Sequence, residues 1–181
     1  PLCPIEILPL SPDAHYHAQL ADGGADLVIG NWPEPPGDLH LGKLFADEVV
    51  CLVSREHPAV RRGWSLDDWL QAEHIAPTPT HPGARGVIDA HLDGLGLSRN
   101  IVARCAHFGQ IPEMVASSLL VLTTGRQYCE RFTARLPLTI LAPPLAFPPL
   151  GYYQLWHART QHSAAVAWLR ECVRSVCATG A

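Results

Sequence analysis

Along almost the whole chain, short apolar runs of strand length alternate with segments whose apolar residues recur at helical spacing. Residues 25–30 (ADLVIG), 49–53 (VVCLV), 119–123 (LLVLT) and 138–141 (LTIL) are the clearest runs. A run that is apolar at consecutive positions, rather than at every second one, has both faces covered, and in such chains the covering elements are helices. The alternation predicts an α/β architecture with a mainly parallel sheet. With 181 residues, 48% of them hydrophobic, the chain can bury one large core or two small ones.

Punctuation between the runs places the remaining elements. Residues 5–8 read as a first strand; Ser11-Pro12-Asp13 then opens a helix to about Ala21, with Ser as cap and Pro at the first helical position. Gly23-Gly24 stops it before a strand over 25–30. After a Pro-rich loop, residues 39–54 contain a strand at 49–53 and look like a passage from one unit to another. Ser65 with Asp68 three residues on predicts a capped short helix. Strands follow at 74–77, 101–106, 119–123, 138–141 and 152–156, and helices at 85–93, 110–118, 126–135 and 163–176. In the last helix Val166, Leu169, Val173 and Val176 form one stripe, which should pack on a sheet.

Composition excludes several classes. Charged residues make up 17%, the net charge is −4, and the basic residues are scattered, so no cationic stripe is available to neutralise phosphates. No run approaches the roughly 20 apolar residues of a membrane helix, and the first residues lack the pattern of a secretion signal; a cytoplasmic protein is expected. Cys3, Cys51, Cys105, Cys129, Cys172 and Cys177 form no C-x-x-C pair and read as buried free thiols. His15 and His17 diverge on a helix, and His157 and His162 are five apart, so neither pair has metal-ligand spacing. No cofactor or metal is expected. A start at Pro1 reads as a fragment of a longer protein.

In order, these segments resemble the effector-binding domain of LysR-type transcriptional regulators. Residues 20–30 (LADGGADLVIG) are similar to the family's G-x-x-D-L-x-I-G signature, and residues 44–58 (LFADEVVCLVSREHP) to its crossover strand ending in HP. Residues 65–74 and 114–123 look like its short helix and later apolar strand. Residues 153–173 (YQLWHARTQHSAAVAWLRECV) resemble the closing strand and helix of the branch containing nodulation and aromatic-catabolism regulators. The resemblance implies two Rossmann-like lobes joined by two crossover strands, as in type 2 periplasmic binding proteins. Residues 1–53 and 148–181 would form the first lobe, lacking its first strand and helix, and residues 54–147 the second. It further implies a small-molecule effector, DNA contact only through an N-terminal helix-turn-helix domain absent here, a homodimer through the first lobe and a tetramer in the whole protein. A transporter's solute-binding protein, or an enzyme on this fold, is the alternative.

In open α/β sheets ligands lie beyond the carboxyl ends of the strands. That rule selects Asn31 and Trp32 on one rim, and Thr78, Thr80, His81, His107, Phe108 and Gln110 on the other, with Phe147 as a wall. Thr78, Thr80 and Gly83 precede a helix start suited to an anion; His107 suits pairing with an anionic effector; Trp32 and Phe108 suit an aromatic ring. Each has a plainer use as a cap, a turn residue or packing. Cys105 with His107, on one face of a strand, or Cys129 beside Glu130, are the only thiol–base pairs worth weighing, and neither has an orienting third group. No catalysis is expected.

Overall fold

The structure is a computed structural model, described here for residues 4–8, 16–31, 39–79 and 85–179. In chain order the elements are α1 (Tyr16–Asp22), β1 (Val28–Gly30), β2 (His40–Asp47), β3 (Val49–Ser54), α2 (Ala59–Arg62), α3 (Leu66–Gln71) and β4 (His74–Pro77). Then come α4 (Val87–Gly94), β5 (Ile101–Cys105), α5 (Ile111–Ala116), β6 (Leu122–Gly125), α6 (Arg126–Thr133), β7 (Leu138–Leu141), β8 (Leu150–Trp156) and α7 (Ala164–Thr179). Single 3-10 turns precede α5 (Phe108–Gln110) and α7 (Ala158–Thr160).

Two sheets result. The first has the order β1-β8-β2, with β8 antiparallel to both neighbours. The second has β3 between β6 and β7, antiparallel to each. A parallel pair, β4 with β5, joins it through a bridge at His74 and Val121, where Ile75 N–H donates to the Val121 carbonyl at 3.1 Å and Val121 N–H to that of Glu73 at 2.9 Å.

The mixed α/β class is as expected; the mainly parallel sheet is not. Among the described residues only the β4–β5 ladder and its bridge are parallel. The reason lies in the double connection: each strand on entering a sheet from the other one runs against its new neighbours. Apolar runs carry no sign of direction, because burial on two faces selects the same residues in either orientation. β3 is the central strand of the second sheet. Its hydrogen bonds go to β6 and β7, so the chain leaves the first sheet at Glu48, ahead of the division expected after residue 53. It returns through residues 142–149 into β8.

The expected strand over 5–8 is absent. Residues 4–8 are irregular, and Ile7 is 89% exposed; an apolar run with no neighbour to pair with forms no ladder. The Ser11-Pro12-Asp13 cap lies outside the described residues. α2 has no counterpart among the expected helices: His57 Nδ1 accepts the Ala59 N–H at 3.2 Å at the start of its single turn. The Ser65–Asp68 capping box formed as expected, with Ser65 Oγ accepting the Asp68 N–H at 3.1 Å and the Asp68 carboxylate accepting the Ser65 N–H at 3.0 Å. On α7, Val166 is buried but Val176 is 71% exposed, so the stripe outruns the sheet beneath it.

The second sheet is covered on both faces. On one, Val49, Cys51 and Val53 pack with Trp69, Ile88, Leu92 and Leu150. On the other, Val50 and Leu52 pack with Ile75, Ile111, Val115 and Leu138. All six β3 residues are buried. Leu20, Val28, Leu39 and Leu155 form a smaller core on one face of the first sheet.

Candidate ligand-binding rims

The parallel pair ends where the sequence rule looked for a site. β4 and β5 run side by side to Pro77 and Cys105, and Thr78 N–H extends the ladder by donating to the Cys105 carbonyl at 3.0 Å. Two residues on, the His107 carbonyl accepts the Gln110 N–H at 2.9 Å, which folds the chain into the turn that starts α5. Thr78, His107 and Gln110 are therefore held at one end of the second sheet, all exposed, with Phe108 half-buried among them. Phe108 is braced from α6: its ring lies 4.4 Å from that of Tyr128, and Tyr128 Oη donates to the Phe108 carbonyl at 2.6 Å. Burial pushes the Tyr128 hydroxyl far above its ordinary range, so it acts as a fixed donor.

The other expected residues divide. Asn31 follows β1 at the carboxyl end of that strand, half-buried, and no hydrogen bond or ion pair among the described residues links it to the second rim. Trp32, Thr80 and His81 lie outside the described residues. Phe147, expected as a wall, lies in the segment returning to β8. Its ring sits 5.0 Å from His91 and 6.2 Å from Trp69, on the face covered by α3 and α4.

Neither thiol pair has the geometry of a nucleophile. Cys105 Sγ donates to the backbone carbonyl of His107 at 3.4 Å instead of meeting its ring. Cys129 is fully buried, and burial pushes its thiol up to about 12, opposite to the lowered value a reactive thiolate needs. Among the described residues no group of three or more His, Cys, Asp or Glu could hold a metal ion, and no helix is long and apolar enough to cross a membrane.

A charged crevice between α4 and β5 sets its arginines against its own carboxylates. Arg99, its side chain 3% exposed, meets Asp89 through two hydrogen bonds of 2.7 and 3.1 Å, and Arg85 meets Asp93 at 2.7 Å. Those carboxylates offset the charge of both arginines, while the buried Arg99 Nη1 has no hydrogen-bond partner.

Sequence reasoning missed the cluster where the chain crosses between sheets. The Asp47 carboxylate, 6% exposed, accepts the Gln127 N–H at 3.1 Å and so caps α6 from the end of β2. Arg126 Nε donates to Glu48 at 2.6 Å, and that hydrogen bond with its attendant charge holds the Glu48 carboxyl below the usual range. A side chain at Gly125 would collide with the Asp47 carboxylate, which explains glycine as the N-cap residue there. Phe45 and Tyr152 stack at 4.6 Å beside it, one from each crossing strand. Adjacent acids at 47 and 48 were the only local signal, and they say nothing of a partner 80 residues away.

Comparison with known proteins follows the same outline. A family model of the LysR substrate binding domain matches residues 4–178. The chain belongs to that family. Among curated relatives, the HTH-type transcriptional regulator SyrM of Rhizobium etli is 30% identical over 165 residues, which is 90% of this chain and 48% of SyrM. The chain thus spans about half the length of the curated relatives it matches. Among solved structures, a transcriptional regulator from Vibrio parahaemolyticus is 32% identical, with a TM-score of 0.77 over 96% of this chain and 80% of that one. The regulatory domain of Synechocystis CcmR, solved with 2-PG, is 19% identical, with a TM-score of 0.71 over 90% of this chain and 78% of that one, a likeness of fold. The LysR substrate-binding domain is a type 2 periplasmic-binding-protein-like fold, and the two sheets with their double connection are its two halves.

Proposed function

We propose that this LysR domain is the effector-sensing part of a cytoplasmic, DNA-binding transcriptional regulator, and that a small aromatic or carboxylated metabolite binds against the Thr78–His107–Gln110 rim. The observation carrying this reading is that rim itself: exposed polar groups from two separate loops, held together at the carboxyl ends of the parallel pair β4–β5. The bound metabolite of CcmR, a neighbour in fold, supports it. Asn31, at the carboxyl end of β1, is the first lobe's contribution to the ligand contact. The first lobe comprises the chain up to the crossing at Glu48 together with the part from β8 onward; the second lobe is the part between.

Effector binding biases the relative orientation of the lobes, and it does so only through unequal affinity for the two arrangements, typically about 1–3 kcal/mol of coupling. DNA contact belongs to a separate helix-turn-helix domain. Dimers form through the first lobe and tetramers in the whole protein. The domain recognises and does not catalyse, consistent with Cys105 and Cys129 lacking an activating base.

A thermal-shift screen of small aromatic and aliphatic acids tests the rim, since a ligand of the folded state raises the melting temperature. At least one acid should bind, and Thr78→Ala and His107→Ala should each weaken it by about tenfold, the worth of about 1.4 kcal/mol. A hit indifferent to both substitutions would move the site elsewhere.

A further inference from the structure

We propose that the charged crevice between α4 and β5 is a binding site in its own right, separate from the rim, for a small polyhydroxylated monocarboxylate of the sugar-acid type. Its volume of about 370 Å³ lies within the roughly 300–1,000 Å³ of ordinary ligand sites. Every described lining residue falls between Arg85 and Arg104. The walls are therefore α4, the turn after it and β5, and no strand of the first sheet contributes.

Charge sets the sign of the ligand. Three arginines, Arg85, Arg99 and Arg104, line the crevice with two aspartates, Asp89 and Asp93, which leaves one positive charge in excess. Arg99 is the decisive group. Its side chain is 3% exposed, and its Nε and Nη2 are both given to Asp89, at 2.7 and 3.1 Å. Nη1, the remaining corner of the guanidinium, has no hydrogen-bond partner. A charged donor left buried and unpaired is costly, whereas a carboxylate oxygen placed against it gains a charge-assisted hydrogen bond.

The rest of the lining is polar in both senses. Arg104 reaches the Pro77 carbonyl at 3.3 Å and Arg85 reaches Asp93 at 2.7 Å, but each guanidinium carries five N–H donors, so both have donors to spare. The Asp89 and Asp93 carboxylates accept, and the Ser98 hydroxyl does either. Ligand hydroxyls, which donate and accept at once, match such a wall. A second carboxylate on the ligand would stand against the two aspartates and be repelled.

The proposal does not rest on the rim reading. D-gluconate titrated into the protein by calorimetry tests it, with sorbitol, which has an alcohol in place of the carboxylate, as the uncharged match. Gluconate should bind saturably, and sorbitol at least about tenfold more weakly. Arg99→Lys keeps the charge opposite Asp89 but removes the Nη1 donors, and should weaken gluconate by about tenfold. Ser98→Trp should block the crevice and weaken it at least as much, whereas His107→Ala at the rim should change nothing. Should Arg99→Lys fail to fold by circular dichroism, Ser98→Trp carries the test, since its position is exposed. No saturable binding to the wild type, equal binding of sorbitol, or undiminished affinity in a folded crevice variant would each overturn the proposal. So would loss on His107→Ala with none on the crevice variants, which would place gluconate at the rim.

Discussion

Lowering the pH from 7 to 5 should weaken this fold, and His74 should carry a measurable part of the loss. The His74 side chain is wholly buried beneath Trp69, with ring centroids 4.9 Å apart, and its Nε2 donates to the Trp69 carbonyl at 2.7 Å. Burial holds its pKa down from the ordinary 6.5 to about 4, with the charge of Arg99 acting in the same direction. Between those two values the unfolded chain binds a proton that the folded chain refuses, so stability falls as pH drops through 6.5 and the loss is complete near 4. The full effect of such a shift is about 3 kcal/mol, of which about 2 kcal/mol appears between pH 7 and pH 5. Urea unfolding at the two pH values, for the wild type and His74→Phe, isolates this contribution. The variant leaves the Trp69 carbonyl without its donor and should be less stable at pH 7 by about 1–3 kcal/mol, so the comparison is of the change with pH. The wild type should lose about 2 kcal/mol more than the variant over this interval. His57, whose pKa burial also lowers, is present in both proteins and cancels. Equal losses would refute a buried neutral imidazole at this position.

Other expectations concern the crossing and the thiols. Asp47→Ala removes the cap of α6 and should cost about 1–2 kcal/mol in denaturant unfolding. Gly125→Ala should cost about 1–3 kcal/mol through its collision with that carboxylate; the double variant should lose less than the sum, because the added methyl then meets a shorter side chain. Burial raises the Cys51 thiol to about 11 and the Cys129 thiol to about 12, so a thiol reagent at pH 8 should modify both only on unfolding, while the half-buried Cys105, Cys172 and Cys177 react earlier. Ser65→Ala should remove about 1 kcal/mol by breaking the capping box of α3.

What the residues determined alone was local and periodic. Apolar runs located β4 and β7 at their observed bounds and β3 and β6 to within three residues, Ser65 with Asp68 set the start of α3, and helical spacing found α4 and α6, because each signal lies within a few neighbours along the chain. The order of individually weak segments also carried the family resemblance. Tertiary structure alone decided the rest. Strand direction, the sheet to which β3 belongs, the capping of α6 by Asp47, and the packing of Phe147 against His91 and Trp69 all depend on pairings between residues tens of positions apart. A buried apolar residue satisfies the same hydrophobic requirement in either sheet and in either direction, and only the hydrogen-bonded neighbour distinguishes them.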